Sequence, residues 1–350
     1  MREMMPEEWP IAATGAEPTP RARAGGRGRL STVRADFFLN PAERLTEQER
    51  ALMTAMLHCL VGDIAGEVRA VLPAGWTGAN DDDAAVVAAL TRAGLLDDTD
   101  LMAMLLRRAD EERIGTAARA RTGRREARAV QGLVSHSNGA VSAAAMALIL
   151  ARGRRRDRFG QCLVGFDDLP QRTAERLVHS IAAALRQDIV SGQGAAAADN
   201  ELASAAGRLL DKHDPQRGIE ALTAAVVAIL DDTGGLTDEL LLACSQEGEV
   251  AFLAEVLARR AGVGGRVALD ELLSAQPEPL MALLRLAGFS RDLSAGLLAS
   301  LGDLLGIADP GAAIGIFDRM TADEVKAAAS WLAAPSEYRA ALAALGSRNG

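Results

Sequence analysis

The chain has 350 residues, of which 49% are hydrophobic and only 3% aromatic, so its core must be assembled from Leu, Ala, Val, Ile and Met. Strands favour aromatic and β-branched side chains and helices favour Ala and Leu, so the composition leans to helix before any pattern is read. A net charge of −9 disfavours general binding to nucleic acid or anionic membrane, and the three dispersed cysteines, Cys59, Cys162 and Cys244, exclude a disulfide framework and fit a reducing compartment.

Residues 1–40 show no apolar period; Pro6, Pro10, Pro18 and Pro20 are followed by glycines among arginines, the composition of a disordered tail. Glu3, Pro6, Glu7 and Glu8 stand where a secretion signal would be basic and then apolar, so a cytoplasmic protein is expected. Order begins at Thr46, which with Glu49 has the spacing of a capping box. Met53, Met56, Leu57, Leu60 and Ile64 form one helical stripe behind it, with Gly62-Asp63 a candidate break and Pro73 a stop. Asp82 leads a helix closed by Gly94, and Thr99 is the expected cap for Leu101, Met104 and Leu105. Val130, Leu133 and Val134 end at the turn signal Ser137-Asn138-Gly139. The apolar stretch from Ala143 to Ala151 is far short of the ~20 residues needed to span a bilayer and reads as a buried helix. Asp167-Asp168-Leu169-Pro170 reads as an acidic helix start ahead of Leu177, Val178, Ile181 and Leu185.

The pattern weakens from Ser191 to Ala198 and resumes as helix after helix. Ile219–Leu230 is one; Thr237, Ser290 and Asp309-Pro310 begin others; Thr321 with Glu324 is a second capping box; Pro335 opens the last, with Tyr338 and Leu342. No segment alternates apolar and polar residues between turn dipeptides, so no strand is expected. The expected fold is all-α, stacked antiparallel helix pairs of the α-solenoid type with a helical C-terminal half. The expected organisation is a tail over 1–40, a HEAT-like helical domain over 41–190, a junction helix over 191–218 and a C-terminal helical domain over 219–350.

Leu45–Met53 (LTEQERALM) followed by Glu67–Leu72 (EVRAVL) resembles the opening of an uncharacterised alphaproteobacterial family of HEAT-like helical repeats, a domain of unknown function. Ala145–Leu148 (AMAL) running into Arg154–Phe159 (RRRDRF) and Asp167–Pro170 (DDLP), and Leu283–Gly288 (LLRLAG) before Ser290-Arg291, are similar to the same family. The likeness covers roughly Pro41 to Leu345. Val68-Arg69 suits the second helix of a repeat, whereas Val141-Ser142 lacks the arginine, so the repeat count stays open. The resemblance brings no activity, cofactor or catalytic residue.

Catalytic chemistry is not legible. Neither Lys212 nor Lys326 follows a glycine run, which removes a P-loop. None of His58, His136, His179 and His213 has a second histidine one helical turn away, as a helical metal pair requires. Ser290 lacks the second glycine of a nucleophile elbow, and Gly262, Gly264 and Gly265 read as a turn between helices. No catalytic, cofactor or metal residue is therefore expected.

One patch invites a hypothesis. Arg107, Arg108, Arg119, Arg121, Arg124, Arg125 and Arg128 are followed by Arg152, Arg154, Arg155, Arg156 and Arg158. Arginine in place of lysine is what a GC-rich genome writes, and Asp110, Glu111, Glu112 and Asp157 can neutralise a solvated face. The sharper reading makes Arg124, Arg125, Arg128, Arg154, Arg155, Arg156 and Arg158 a docking site for an acidic or phosphorylated protein segment, which arginine grips with paired hydrogen bonds. The leading expectation is a non-enzymatic, protein-binding helical-repeat protein, off the membrane and without cofactor. The rivals are a nucleic-acid binder using the arginine stretch, opposed by scarce aromatics and negative charge, and an enzyme with a site assembled from scattered charges.

Overall fold

The computed structural model describes residues 46–73, 76, 82–123, 127–274, 276–335, 338, 339, 341, 342 and 345. The expected tail over 1–40, and Arg124 and Arg125, lie outside the described residues. Among those described, the chain is all-helical: fifteen α-helices, three 3-10 turns and no strand, with one isolated bridge between Arg156 and Cys162.

The first helix, α1, is Glu47–Ala70, and Thr46 and Glu49 cap it reciprocally. It runs unbroken through Gly62-Asp63. A Cβ on Gly62 would lie 2.8 Å from a carboxylate oxygen of Asp83, so this glycine admits a neighbouring helix and does not interrupt its own. That neighbour is α2, Asp83–Arg92, capped by Asp82. The next, α3, is Thr99–Arg121, and its cap is Asp98, whose carboxylate accepts from Leu101 N at 2.9 Å; the expectation of Thr99 was one residue late. A short helix α4, Ala129–Gly132, and a 3-10 turn at Leu133–Ser135 precede α5, Gly139–Arg154, capped by Asn138.

Phe166–Asp168 is a 3-10 turn, and α6 begins only at Gln171 and runs to Gln193. The carboxylates of Asp167 and Asp168 therefore do not cap α6 but serve elsewhere. Gly194 (φ 84°) turns the chain into α7, Ala195–Leu210. After a 3-10 turn at Pro215–Arg217 come α8 (Ile219–Asp232), α9 (Asp238–Glu247), α10 (Val250–Ala261) and α11 (Gly265–Leu272). The last four are α12 (Pro277–Leu286), α13 (Arg291–Leu301), α14 (Pro310–Arg319) and α15 (Ala322–Ala333). Thr237, Ser290, Asp309 and Thr321 supply side-chain caps to α9, α13, α14 and α15, each worth about 1 kcal/mol.

Two apolar cores result. In the first, α1 touches α2, α3, α6 and α7, so its whole inner stripe, Met53, Met56, Leu57, Leu60, Val61 and Ile64, is at most 2% exposed. By length and mean hydropathy α1 is also the one described helix apolar enough to cross a membrane, and its inner stripe packs into this core. The second core is a stack: α5 packs on α8, α8 on α10, α10 on α12 and α12 on α14, while α9 packs on α13. Alternate helices piling into one layer is the signature of an α-solenoid-like arrangement. Both cores use α3: Leu101, Leu105 and Ala109 sit in the first, and Ile114 in the second.

The helix α5 is not buried all round, as its apolar run suggested. Val141, Ala145, Leu148 and Ala151 enter the second core, but Met146 (42% exposed) and Leu150 (55%) face solvent.

Candidate functional site

A cleft of about 1010 Å³ opens where the two cores meet. One wall is the second half of α3, where Arg108, Glu111, Glu112, Gly115 and Arg119 recur at three- and four-residue spacing and so share a face. Opposite stand Ile149, Arg152 and Gly153 from the end of α5, the loop from Arg155 to Cys162, and Gly248 to Ala251 at the start of α10.

Two glycines bring α3 and α10 this close. Gly248 has φ 73°, and a Cβ there would lie 2.8 Å from Gly115 Cα and 2.9 Å from Ala118 Cβ. The preceding Glu247 is buried and accepts from the backbone N–H groups of Arg128 and Ala129, both at 2.7 Å, so it caps α4 from a distant part of the chain.

The loop is held as firmly. Asp157 Oδ1 accepts from Phe159 N and from Gln161 N, both at 2.8 Å, and Arg156 donates to Gly160 O at 2.7 Å. Arg156 also donates to both oxygens of Glu112, at 3.1 and 2.8 Å. Arg155 donates to both oxygens of Asp168, at 3.0 and 3.2 Å. Asp168 further accepts from Gly165 N at 2.7 Å and from Ile219 N at 2.9 Å, tying the loop to the start of α8. Burial alone would push the Asp168 carboxyl up; the Arg155 hydrogen bonds and charge outweigh it and hold the carboxyl below its ordinary range.

Charge along the cleft is mostly paired. Arg152 meets Glu249 at 2.8 Å, and Arg108 pairs with Glu111 at the floor. Burial pushes the Glu111 carboxyl up, with Arg108 opposing. Burial likewise pushes the Cys162 thiol up to about 11, which keeps it protonated and unreactive at neutral pH. Lining the cleft are five arginines (108, 119, 152, 155, 156) and three glutamates (111, 112, 249), so the lining carries an excess of positive charge. Arg119 supplies the free part: its guanidinium folds over Gly115, donates to Thr116 Oγ1 at 3.3 Å and has no carboxylate partner among the described residues.

Of the arginines singled out in the sequence, Arg155 and Arg156 line the cleft, already engaged by Asp168 and Glu112. Arg154 is exposed on the last turn of α5, Arg158 is exposed and stacks over Phe159 at 4.7 Å, and Arg128 is exposed ahead of α4; none has an ion pair among the described residues. Arg124 and Arg125 lie outside the described residues. Sequence reasoning missed Glu249 and Glu247, whose partners are 97 and 119 residues away in the chain, and the bond by which Asp168 holds Ile219 N, 51 residues away. No local pattern encodes such pairs, and only Gly248 beside two glutamates hinted at a special turn. Among the described residues no group of three or more His, Cys, Asp or Glu side chains is placed to hold a metal ion.

Residues 84–329 match the model of a family described as an uncharacterised protein conserved in bacteria (DUF2336). The chain belongs to this family. The matched span runs from α2 to α15 and so contains every wall of the cleft. No curated protein and no solved structure matches the chain.

Proposed function

We propose that this family member is a non-enzymatic, cytoplasmic helical scaffold whose cleft receives an acidic segment of a partner protein. The observation that carries the reading is Arg119, a cation without a carboxylate partner among the described residues, inside a concave, net-positive lining on a chain of net charge −9. A carboxylate entering there gains charge-assisted hydrogen bonds in a partly desolvated site. Arg154, Arg158 and Arg128 extend the positive field outside the lining and favour the approach of an anionic partner.

The chemistry of the lining supports binding over catalysis. The Cys162 thiol is protonated at neutral pH, and Glu111 is gripped by Arg108 at the floor. We further propose that the stacked pairs are HEAT-like and that the affinity is alphaproteobacterial; the layer α5–α8–α10–α12–α14 and the stretches Leu45–Met53 and Arg154–Phe159 support this. Three free cysteines suit a reducing compartment.

Affinity capture with the wild-type chain and with Arg119→Glu/Arg154→Glu tests the proposal. A protein recovered stoichiometrically by the wild type and lost from the variant is the expected result. Identical recoveries from both would contradict it.

A further inference from the structure

A second feature borders the cleft and is apolar. On α5, Ile149 and Gly153 form the lip of the cleft, and one step further round the helix lie Met146 and Leu150. Gly160 in the loop also lines the cleft, and the adjacent Phe159 is 73% exposed. This exposure is built in: the Asp157 and Arg156 hydrogen bonds fix the turn, and the Arg158 guanidinium covers one face of the ring. A structure that uses several hydrogen bonds to present a phenylalanine to water, on the border of a cleft that two more exposed apolar side chains also border, has the makings of a binding hot spot.

We infer that the partner segment is an acidic amphipathic helix, its apolar stripe seated on Met146, Leu150 and Phe159 and its carboxylates turned to Arg119, Arg154 and Arg158. This rests on the reading that the cleft takes an acidic protein segment, and names its form. Three observations select the occupant. The cleft volume of about 1010 Å³ accommodates about two turns of a helix ~10 Å across. Exposed apolar side chains bordering the cleft, together with arginines that have no ion pair among the described residues, are complementary to one apolar stripe flanked by acids, the helix-in-groove mode of recognition. A flat anionic bilayer could touch Leu150 and Phe159 but could not reach Arg119 inside the concavity, and the chain's net charge of −9 repels it.

The test uses the full chain and two fluorescein-labelled peptides of about 18 residues, long enough to form helix. One places leucines at helical i, i+3, i+4 and i+7 positions with glutamates on both flanks; the other has the same composition scrambled to destroy the stripe. By fluorescence anisotropy the amphipathic peptide binds about tenfold more tightly than the scrambled one, and Leu150→Ser and Phe159→Ser each weaken it by about tenfold, typical of hot-spot residues. Arg119→Glu weakens both peptides. All three side chains are at least partly exposed, and unchanged circular dichroism melting confirms that the variants fold. Equal binding of the two peptides, lost in Arg119→Glu but indifferent to Leu150→Ser and Phe159→Ser, overturns the helix inference and leaves the acidic-segment reading standing. Binding of neither peptide overturns both. Sedimentation with phosphatidylserine vesicles, lost on Leu150→Ser while neither peptide binds, assigns the ridge to lipid and also overturns the inference.

Discussion

Asp168 shows how much one carboxylate does in this fold. It neutralises Arg155, caps the 3-10 turn through Gly165 N and caps α8 through Ile219 N. Its alanine variant leaves a mostly buried guanidinium without its counter-charge, a loss of about 3–5 kcal/mol, read as a lower urea midpoint. Glu255 behaves in the opposite sense. Burial, with Glu220 nearby, pushes its carboxyl up to about 7, and it sits where a Cβ on Gly265 would meet its oxygen at 1.9 Å. Arg107, Arg108, Glu111 and Arg266 are the other charges around it, and Arg266 and Arg107 are drawn to Glu220, at 3.0 and 3.7 Å. Because the folded protein holds this proton more tightly than the unfolded chain, stability falls as pH rises from the ordinary glutamate range to about 7. Glu255→Gln removes that slope: its melting temperature exceeds that of the wild type at pH 8 and the gap closes at pH 4.5. An equal gap at both values would remove Glu255 as the cause.

At the scale of elements, the α3–α10 contact sets the cleft. Gly248→Ala places a Cβ on a left-handed residue and against Gly115, which costs about 2–4 kcal/mol by strain and overpacking together. Thermal melting reads this, whereas Gly262→Ala, with the same sign of φ but nothing within 4 Å, costs only the conformational part. Which elements exist was largely written in local residues. Thr46, Asp82, Thr237, Ser290, Asp309 and Thr321 are caps because a short polar side chain before an apolar stripe meets free N–H groups within three residues. Long-range roles were not so written. Gly62 read as a break because its purpose lies on α2, Asp167-Asp168 read as a helix start because their partners are Arg155 just past α5, Asp214, Arg217 and the first residue of α8, and α5 read as buried because composition does not tell a core face from a solvent face. The arginine tract announced a basic region, but which arginines are free depends on carboxylates distant in sequence.

On the scale of the whole molecule, the cleft is a consequence of two cores sharing α3. The first core wraps α1; the second stacks α5 on α8 and then alternate helices to α14; their junction exposes a concave wall with Arg119 at its side, and Met146, Leu150 and Phe159 are exposed next to residues that line it. The central claim is that a protein segment enters this concavity. Site-specific photo-crosslinking in the native host tests it most directly, with the photoreactive residue at Ala120, an exposed wall position, and at Ala196, exposed on α7 away from the cleft lining. The account predicts one discrete protein adduct from Ala120, absent from Ala196 and abolished by Arg119→Glu. The same adducts from both positions, or an Ala120 adduct untouched by Arg119→Glu, would contradict it.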